Sequence, residues 1–216
     1  MARKIWGVDS ASKVDQDLYA CVKKKFGTPK FWGRYLTDVG GVSKGLTKFE
    51  LSFIRSKGIK LLPIYNGFNI AEGYEQGKLA VRNATFHAKK IGVPKETVLF
   101  ANVERFIKTN EEWIKGWVET MYQTGYRPGF YHDPHEGDFS FAYCQAVAEN
   151  HEIANQTILW SSEPNPGPTS ERKAPKYNPA TMRCRGNVWV WQYGRDAADC
   201  SINTNLADER LVKYLY

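Results

Sequence analysis

Hydrophobic and polar positions along this chain follow two patterns, one typical of strands and one typical of helices, which alternate along the sequence. Short apolar runs typical of buried strands are each followed by a stretch whose apolar residues recur at helical spacing. The first four pairs, strand before helix, are "KIWGVD" and "VDQDLYACVKKKFG", "FWGRYLT" and "TKFELSFIRSKG", "IKLLPIYNG" and "EGYEQGKLAVRNATFHAKKIG", and "TVLFANVE" and "TNEEWIKGWVETMYQTG". Strands that alternate with helices predict a parallel sheet with helices packed outside it.

The pattern changes in the last third of the chain. "PGFYHD" is still followed by the helical stretch "FSFAYCQAVAEN", but "TILWSSE" and "NVWVWQYG" come without a comparable helix between them. A proline-rich loop over residues 163–187 takes that place, and "LADERLVKYLY" has the spacing of a closing helix. The sequence therefore predicts an irregular final third.

Two parallel architectures fit this alternation, a doubly wound open sheet and a barrel. No glycine-rich phosphate loop follows the first strand, which removes the main support for a nucleotide-binding open sheet. Polar and aromatic residues gather instead at the strand ends, at Asp9, Arg34, Tyr35, Tyr65, Asn66, Asn102, Glu104, Tyr131, His132, Asp133, Trp160, Glu163, Gln192 and Tyr193. In a barrel these ends converge on the face that carries the site. We therefore predict an α/β fold, a (β/α)8 TIM-type barrel, as one domain over residues 1–216, with the long loop lying over that face.

Composition narrows the possible partners. The chain has 216 residues and a formal net charge of +7, which favours anionic partners such as a cell wall. The longest basic run, Lys23–Lys25, suits the end of a helix, so we expect no nucleic-acid partner. No run of about 18 apolar residues occurs, and we expect no membrane span. "MARKIWGVDS" lacks the apolar core of a secretory signal, which leaves retention, a removed leader or another export route open. We expect a monomer.

Cysteine and histidine spacings do not indicate a metal site. The four cysteines form no CxxC or Cys/His ligand pattern, and the loop "YHDPH" offers no fixed ligand geometry, so we expect no metal and no cofactor. Cys21 and Cys144 fall within helical patterns and are expected as buried thiols. Cys184 and Cys200 flank the last strand, where a disulfide is possible if their geometry permits it.

The stretch "ANVE" carries the main candidate chemistry. In a strand, Asn102 and Glu104 point to one face and Arg105 to the other. Glycoside hydrolysis usually needs two carboxylates, of which one protonates the leaving oxygen. Apolar surroundings such as Phe100 and Phe106 would raise the pKa of Glu104 and suit it to that task.

Each candidate also has a purely structural interpretation. Glu104 could form a salt bridge with an arginine such as Arg34, and Asp9 could be a turn residue before "SAS". Asn66 and Asn102 could bond backbone, and Trp160, Trp191 and Tyr193 could be packing residues. Strand alternation places Trp189 and Trp191 on one face and Gln192 on the other.

Three stretches together, "WGVDSAS", "ANVE" and "VWVWQYG…INTNLAD", resemble the lysozyme-type glycoside hydrolases of family 25 and, more closely, the related glycoside-hydrolase-like barrels. The resemblance extends over essentially the whole chain. It implies a barrel that acts on peptidoglycan, with Asp9 and the general acid Glu104 as catalytic residues. Asn102 stands where those lysozymes have an aspartate, and Asn203 lies near a second such position, so two acids are replaced by amides.

Three functions follow from these observations. The first is hydrolysis of peptidoglycan or a related amino-sugar polymer, in which Glu104 and Asp9 act on a sugar whose own acetamido group is the nucleophile. Substrate-binding residues would be Asn66, Asn102, Tyr131, Asp133, Trp160, Gln192 and Asn203. The second is a barrel that binds glycan without cleaving it, as the amide replacements favour. The third is a cytosolic barrel for a small metabolite, which the missing phosphate loop disfavours.

Overall fold

Eight strands close into a barrel in chain order in the computed structural model, which describes residues 3–216. Neighbouring strands from β1 to β7 are parallel, while β8 is antiparallel to both β7 and β1. The strands are β1 (Lys4–Ser10), β2 (Phe31–Tyr35), β3 (Lys60–Tyr65), β4 (Val98–Val103), β5 (Arg127–His132), β6 (Ile158–Ser162), β7 (Val188–Ala197) and β8 (Ile202–Asp208). The predicted α/β barrel and its irregular last third are confirmed.

Helices cover the outside of the first six strands. They are α1 (Gln16–Lys25), α2 (Lys48–Ser56), α3 (Tyr74–Ile91), α4 (Glu111–Gln123), α5 (Phe139–Glu149) and the short α6 (Glu152–Gln156). Three of them begin at a side chain that accepts a backbone N–H, namely Asp15 from Leu18, Thr47 from Glu50 and Asn110 from Trp113.

Strand alternation separates an inner core from an outer one. Phe100 and Trp160 point into the barrel, while Phe130 packs outward against the stacked rings of Trp113 and Trp117. Trp191 joins the outer layer and Gln192 points inward, as the pattern predicts. Asn102 and Glu104 likewise share the inner, mouth-facing side. The sheet therefore aims every second residue of each strand end at the barrel mouth.

Two predictions about the last third are only partly right. In "LADERLVKYLY" the first three residues complete β8, and the helical part is the short 3-10 helix Glu209–Tyr214 rather than a full closing helix. Only the beginning of the segment 163–187 lies at the mouth, where Glu163, Pro164 and Asn165 line a cavity with Glu104 and Arg195. The rest descends the outside of the barrel, where Pro168 meets Gly194 and the Glu171 N–H donates to the Phe26 carbonyl beyond α1. This segment replaces a crossover helix, because β7 still has to begin at the far end of the sheet.

The cysteines form two disulfides, neither of which is Cys184–Cys200. Cys21 of α1 pairs with Cys200 in the β7–β8 turn, and Cys144 of α5 pairs with Cys184. Cys21 and Cys144 are therefore not free thiols. Their helical positions were predicted correctly, but each lies opposite a loop cysteine that is distant in sequence. One bridge anchors the β7–β8 hairpin, and the other anchors the long outer segment.

Candidate active site

Asp9 lies at the centre of the barrel mouth, 2 % exposed, and is held by three side-chain amides. Its Oδ1 accepts from Asn205 Nδ2 at 2.7 Å and from Gln192 Nε2 at 3.0 Å, and its Oδ2 accepts from Asn203 Nδ2 at 2.8 Å. Burial raises the pKa of Asp9, and the amides and the charge of Arg195 oppose that shift. Asp9 is thus an oriented carboxylate rather than a turn residue.

Close packing at Asp9 depends on a glycine in the next strand. A Cβ at Gly33 would lie 2.6 Å from Asp9 Cβ and 3.0 Å from Trp160 Cη2. The Trp160 indole is fully buried and donates to Asn205 Oδ1 at 3.0 Å. Trp160 therefore forms the floor of the site and orients one of the amides that hold Asp9.

Arg195, near the end of β7, bridges the rest of the mouth. Its Nη2 donates to Tyr131 Oη at 2.6 Å and Ser162 Oγ at 3.0 Å, and lies 3.8 Å from Glu104 Oε2. The Tyr131 hydroxyl lies 3.0 Å from Gln192 Oε1, to which it donates. A chain of polar contacts thus links Arg195 through Tyr131 and Gln192 to Asp9.

Glu104 is the accessible carboxylate of the site. Its side chain is 24 % exposed, and the nearest arginine is Arg195 rather than Arg34. Burial raises the pKa of Glu104; Arg195 and Asn102 oppose this, while the negative charges of Asp9 and Asp133 add to it. A carboxyl group with a raised pKa that faces solvent can hold a proton and deliver it to a bound molecule.

Asn102 lies two residues before Glu104, on the same side of the strand, and is 9 % exposed. Its Oδ1 is buried without a hydrogen-bond donor among residues 3–216. Burial of an amide oxygen without a donor is costly, so such an atom commonly marks a place that a ligand or water completes. The Asn102 oxygen therefore gives the site a free acceptor beside the Glu104 carboxyl group.

The remaining predicted residues occupy different depths. Asp133 lines a cavity of about 400 Å³ together with Glu104, Ser162, Glu163 and Arg195. Its Oδ1 also accepts the N–H groups of His135 and Glu136, which shapes the loop after β5. Asn66 bonds Thr37 and Ser43 at the edge of the mouth, as a structural amide would.

The histidines after β5 do not converge. His132 is fully buried in the outer layer and stacks on Phe139, whereas His135 is exposed 3.7 Å from Glu163. Within residues 3–216 no group of three His, Cys, Asp or Glu side chains has an arrangement that could hold a metal ion.

Three contributors to the site escaped the sequence analysis. Arg195 and Asn205 were not considered, and Tyr35 was noted only as a strand-end residue. Burial raises the pKa of Tyr35, and the charges of Asp9 and Glu104 add to that shift. Asn205 could have been found, because the alternation of "INTN" puts Asn203 and Asn205 on one face of a strand.

A second polar network lies directly outside the site and fixes the loop after Asp9. Arg34 points outward from β2 and bonds Glu50 of α2 through Nε at 2.6 Å. Its Nη1 donates to the Ser10 carbonyl at 2.8 Å and its Nη2 to the Lys44 carbonyl at 2.8 Å. Arg34 thus does not reach Glu104, and its role is to hold the backbone next to Asp9.

A barrel whose mouth holds an oriented buried carboxylate and a second, partly exposed carboxyl group has the arrangement of a glycoside-hydrolase-like protein. The family model of the Rv2525c-like, glycoside hydrolase-like domain matches residues 28–198. This chain belongs to that family. The matched region contains Glu104 and Arg195, while Asp9 and β8 lie outside it.

Solved structures show the same fold. An uncharacterized protein of B. stearothermophilus is 56 % identical with a TM-score of 0.97, over 98 % of this chain and 100 % of that one. A family GH25 lysozyme from Aspergillus fumigatus is 12 % identical with a TM-score of 0.60, over 98 % of both chains. The modular autolysin LytC of Streptococcus pneumoniae, solved with a synthetic peptidoglycan ligand, is 13 % identical with a TM-score of 0.58, over 94 % of this chain and 46 % of LytC. Among curated protein sequences none matches this chain.

Proposed function

We propose that this chain hydrolyses glycosidic bonds in peptidoglycan or a related amino-sugar polymer, with Glu104 as the general acid. Two features at one mouth carry the proposal. One is the solvent-facing Glu104 carboxyl, whose pKa is raised, and the other is the buried Asn102 amide oxygen, which has no hydrogen-bond donor among residues 3–216. The lysozyme fold of the solved neighbours supports a glycan as the substrate, and the LytC complex supports peptidoglycan in particular.

The chemistry fits a substrate-assisted route, one of the recognised exceptions to the use of two carboxylates. Glu104 gives its proton to the glycosidic oxygen, and the bond from this oxygen to the anomeric carbon breaks. At the same time the acetamido oxygen of the sugar that carries this anomeric carbon attacks it. Asn102 Oδ1 accepts the acetamido N–H and orients the group. Water then opens the ring that has formed, Glu104 takes back a proton, and the anomeric configuration is retained.

Asp9 acts electrostatically in this route. Its carboxylate is sealed by three amides and has little access to a sugar carbon, so it is poorly placed as a nucleophile. A buried negative charge nevertheless stabilises the positive charge that develops on the sugar ring. Tyr131, Gln192 and Asn203 keep that carboxylate in place, and Asp133 and Asn66 flank the path of the glycan.

The disulfides support a place of action outside the reducing cytoplasm. Disulfides persist mainly in oxidising compartments, and all four cysteines are paired here. The glycan of a cell wall lies in such an oxidising compartment, where this protein would encounter it. Along residues 3–216 no helix is long and apolar enough to cross a membrane.

Release of reducing ends from purified peptidoglycan tests the proposal. Glu104→Gln should remove the release, while Glu136→Gln, a change at an exposed carboxylate of the same cavity, should preserve it. Equal rates for native protein and Glu104→Gln would contradict the role of Glu104.

A second function, glycan binding without cleavage, is favoured by one observation, the near-complete sealing of Asp9. It predicts that neither native protein nor Glu104→Gln releases reducing ends, while both sediment with insoluble peptidoglycan. Absence of both release and sedimentation would contradict both functions.

A further inference from the structure

Charge is segregated between the two ends of the barrel. The mouth carries mostly carboxylates, and the opposite end, where β1–β7 begin and α1–α4 finish, is lined by lysine and arginine. We call this opposite end the basal end and define it by residues 3–5, 23–30, 55–60, 89–98, 122–127 and 208–214. The formal net charge of +7 is thus concentrated on one end rather than spread evenly.

Helix dipoles explain only part of this concentration. Lysine or arginine in the last turns of α1, α2 and α3 is the usual complement to a helix C-terminus. Arg3, Lys30, Lys60 and Lys95 lie beyond the helices, in loops or at strand starts, where the dipole offers no explanation. These additional cations need another physical reason.

The cations beyond the helices surround a cavity. A depression of about 630 Å³ at the basal end is lined by Arg3, Lys30 and Lys60, with Glu209 as its one carboxylate among residues 3–216. Glu209 accepts the Arg3 N–H at 3.2 Å. Neither Lys30 nor Lys60 forms an ion pair in the described part of the chain, and Lys60 Nζ only approaches the Leu215 carbonyl at 3.4 Å. Among residues 3–216, the depression thus has three cationic side chains and one carboxylate, and it keeps an excess of positive charge.

Acidic groups elsewhere on the basal end are already occupied. Asp208 is bonded by Lys4 at 2.8 Å and by Arg210 at 2.8 Å, and Glu96 lies 3.8 Å from Arg127. Unneutralised cations around a concave surface attract a partner with regularly spaced negative charges.

The geometry points to a phosphodiester-bearing polymer of the cell wall as the partner of the basal end. The choice of a wall rests on the proposed function. A lipid surface fits less well, because membrane-surface binding needs exposed apolar side chains next to the cations. Of the large exposed apolar residues among positions 3–216, Tyr122 alone falls within the basal end, whereas Ile70 and Phe106 follow strand ends at the mouth and Phe141 lies in the first turn of α5. Bound in this way, the protein would leave its mouth, at the opposite end of the barrel, free for a glycan strand.

The test compares two triple variants of the full chain that remove the same charge. Arg3→Gln/Lys30→Gln/Lys60→Gln alters the depression. Lys13→Gln/Lys48→Gln/Lys108→Gln removes three exposed lysines at the mouth end and serves as the matched control. Thermal unfolding of both shows that they are folded. The probes are purified walls that keep their phosphodiester polymer, the same walls stripped of it, and soluble inorganic polyphosphate.

We expect the native protein to bind intact walls and polyphosphate in a salt-dependent way. On stripped walls this salt-dependent part should be lost, and only binding of the glycan by the mouth should remain. The basal variant should bind roughly 100-fold more weakly at low salt, as expected for three cations facing a polyanion, and the control within about threefold of native. An equal loss in both variants, or unchanged binding to stripped walls, would overturn the inference.

Two other partners are outcomes of the same test. Tighter binding to vesicles of phosphatidylglycerol and phosphatidylcholine, or to double-stranded DNA, than to intact walls would also overturn it. The proposed hydrolysis is measured separately, as reducing-end release from walls stripped of the polymer. If the protein binds intact walls through the basal end but does not cleave, the proposed function alone is rejected. If it cleaves but does not bind through the basal end, only this inference is rejected.

Discussion

Two arginine–glutamate pairs lie near the barrel mouth and differ in their burial and in the distance between their charged groups. Arg34 and Glu50 are fully buried, joined at 2.6 Å, and the remaining Arg34 donors meet backbone carbonyls. Arg195 and Glu104 are 37 % and 24 % exposed, and their closest atoms are 3.8 Å apart. In the first pair the charges are in direct contact and the remaining donors have partners. In the second pair the two charged groups are close but not in direct contact.

The difference separates a supporting network from a working one. A buried ion pair is tolerated only when every charge and donor is matched, and Glu50 indeed also accepts the Val14 N–H at 2.8 Å. Glu104 lacks such saturation, and Asn102 beside it has an acceptor without a donor among residues 3–216. Unused capacity of this kind is what a substrate would complete.

The largest stability effect should come from the same chemical change made in the two pairs. Glu50→Gln leaves the Arg34 charge buried without its counter-ion, and we expect it to lower the free energy of unfolding by about 3–5 kcal/mol. Glu104→Gln removes a partly solvated charge and should lower it by less than about 1 kcal/mol. Denaturant unfolding measures both. Similar losses in the free energy of unfolding for the two variants would contradict the distinction between a buried, matched pair and a partly solvated one.

His132 extends the comparison to a buried titratable group without a close counter-ion. Burial lowers its pKa to about 4 from an ordinary 6.5, so the folded state favours the neutral ring. The unfolded chain takes up a proton first as pH falls, and stability is lost from about pH 6.5 down to about pH 4, by about 3 kcal/mol in total. His132→Phe keeps the stacking on Phe139 and should abolish this loss.

Unfolding free energies of native protein and His132→Phe at several pH values check this. The control is His151→Phe, at a side chain that is 84 % exposed, and it should leave the pH dependence unchanged. A parallel loss in native protein and His132→Phe over the same pH range would show that another group is responsible.

Removal of both members of the Arg34–Glu50 pair should cost less than removal of one. Arg34→Met/Glu50→Leu eliminates two buried charges together and leaves only the Ser10, Lys44 and Val14 backbone groups without partners. We expect a loss of about 1–2 kcal/mol relative to native. A double variant less stable than Glu50→Gln would mean that the ion pair contributes more than it costs to bury.

The smallest effect concerns the Arg195–Glu104 pair. The Arg195 charge lowers the pKa of Glu104, so Arg195→Gln should raise that pKa. The proton donor is active below its pKa, and activity that falls as pH rises should therefore fall at a higher pH in the variant. Profiles of reducing-end release against pH measure the shift.

Arg105→Gln is the matched control for Arg195→Gln. Arg105 follows Glu104 in sequence and lines the same cavity, so the predicted turn to the opposite face is wrong. It is nevertheless 58 % exposed and pairs with the exposed Glu136 rather than with Glu104. Its profile should coincide with that of the native protein. A shift in the opposite direction for Arg195→Gln would contradict the electrostatic role of Arg195.

Much of the fold could be predicted from local pattern. Seven strands, five helices and the alternation that puts Asn102 and Glu104 on one side follow from neighbours in the chain. The eighth strand was missed because its inward positions hold Asn203 and Asn205, which strands rarely bury, and because "LADERLVKYLY" also has a helical spacing. Those two amides are polar because they hold Asp9, and no local pattern reveals that purpose.

Residue types and their local periodicity, which the sequence alone supplies, determined the barrel, the shared direction of Asn102 and Glu104 and the amide at position 102. They did not determine the direction of Arg105, which lines the same cavity as Glu104. Only the tertiary structure decided the partners. Asp9 meets residues from about 180 to 200 positions later, Arg34 prefers Glu50 to Glu104, and each helical cysteine pairs with a distant loop cysteine. The reason is physical: contact choice and desolvation depend on how the closed barrel brings distant segments together, while strand and helix periods depend on adjacent residues.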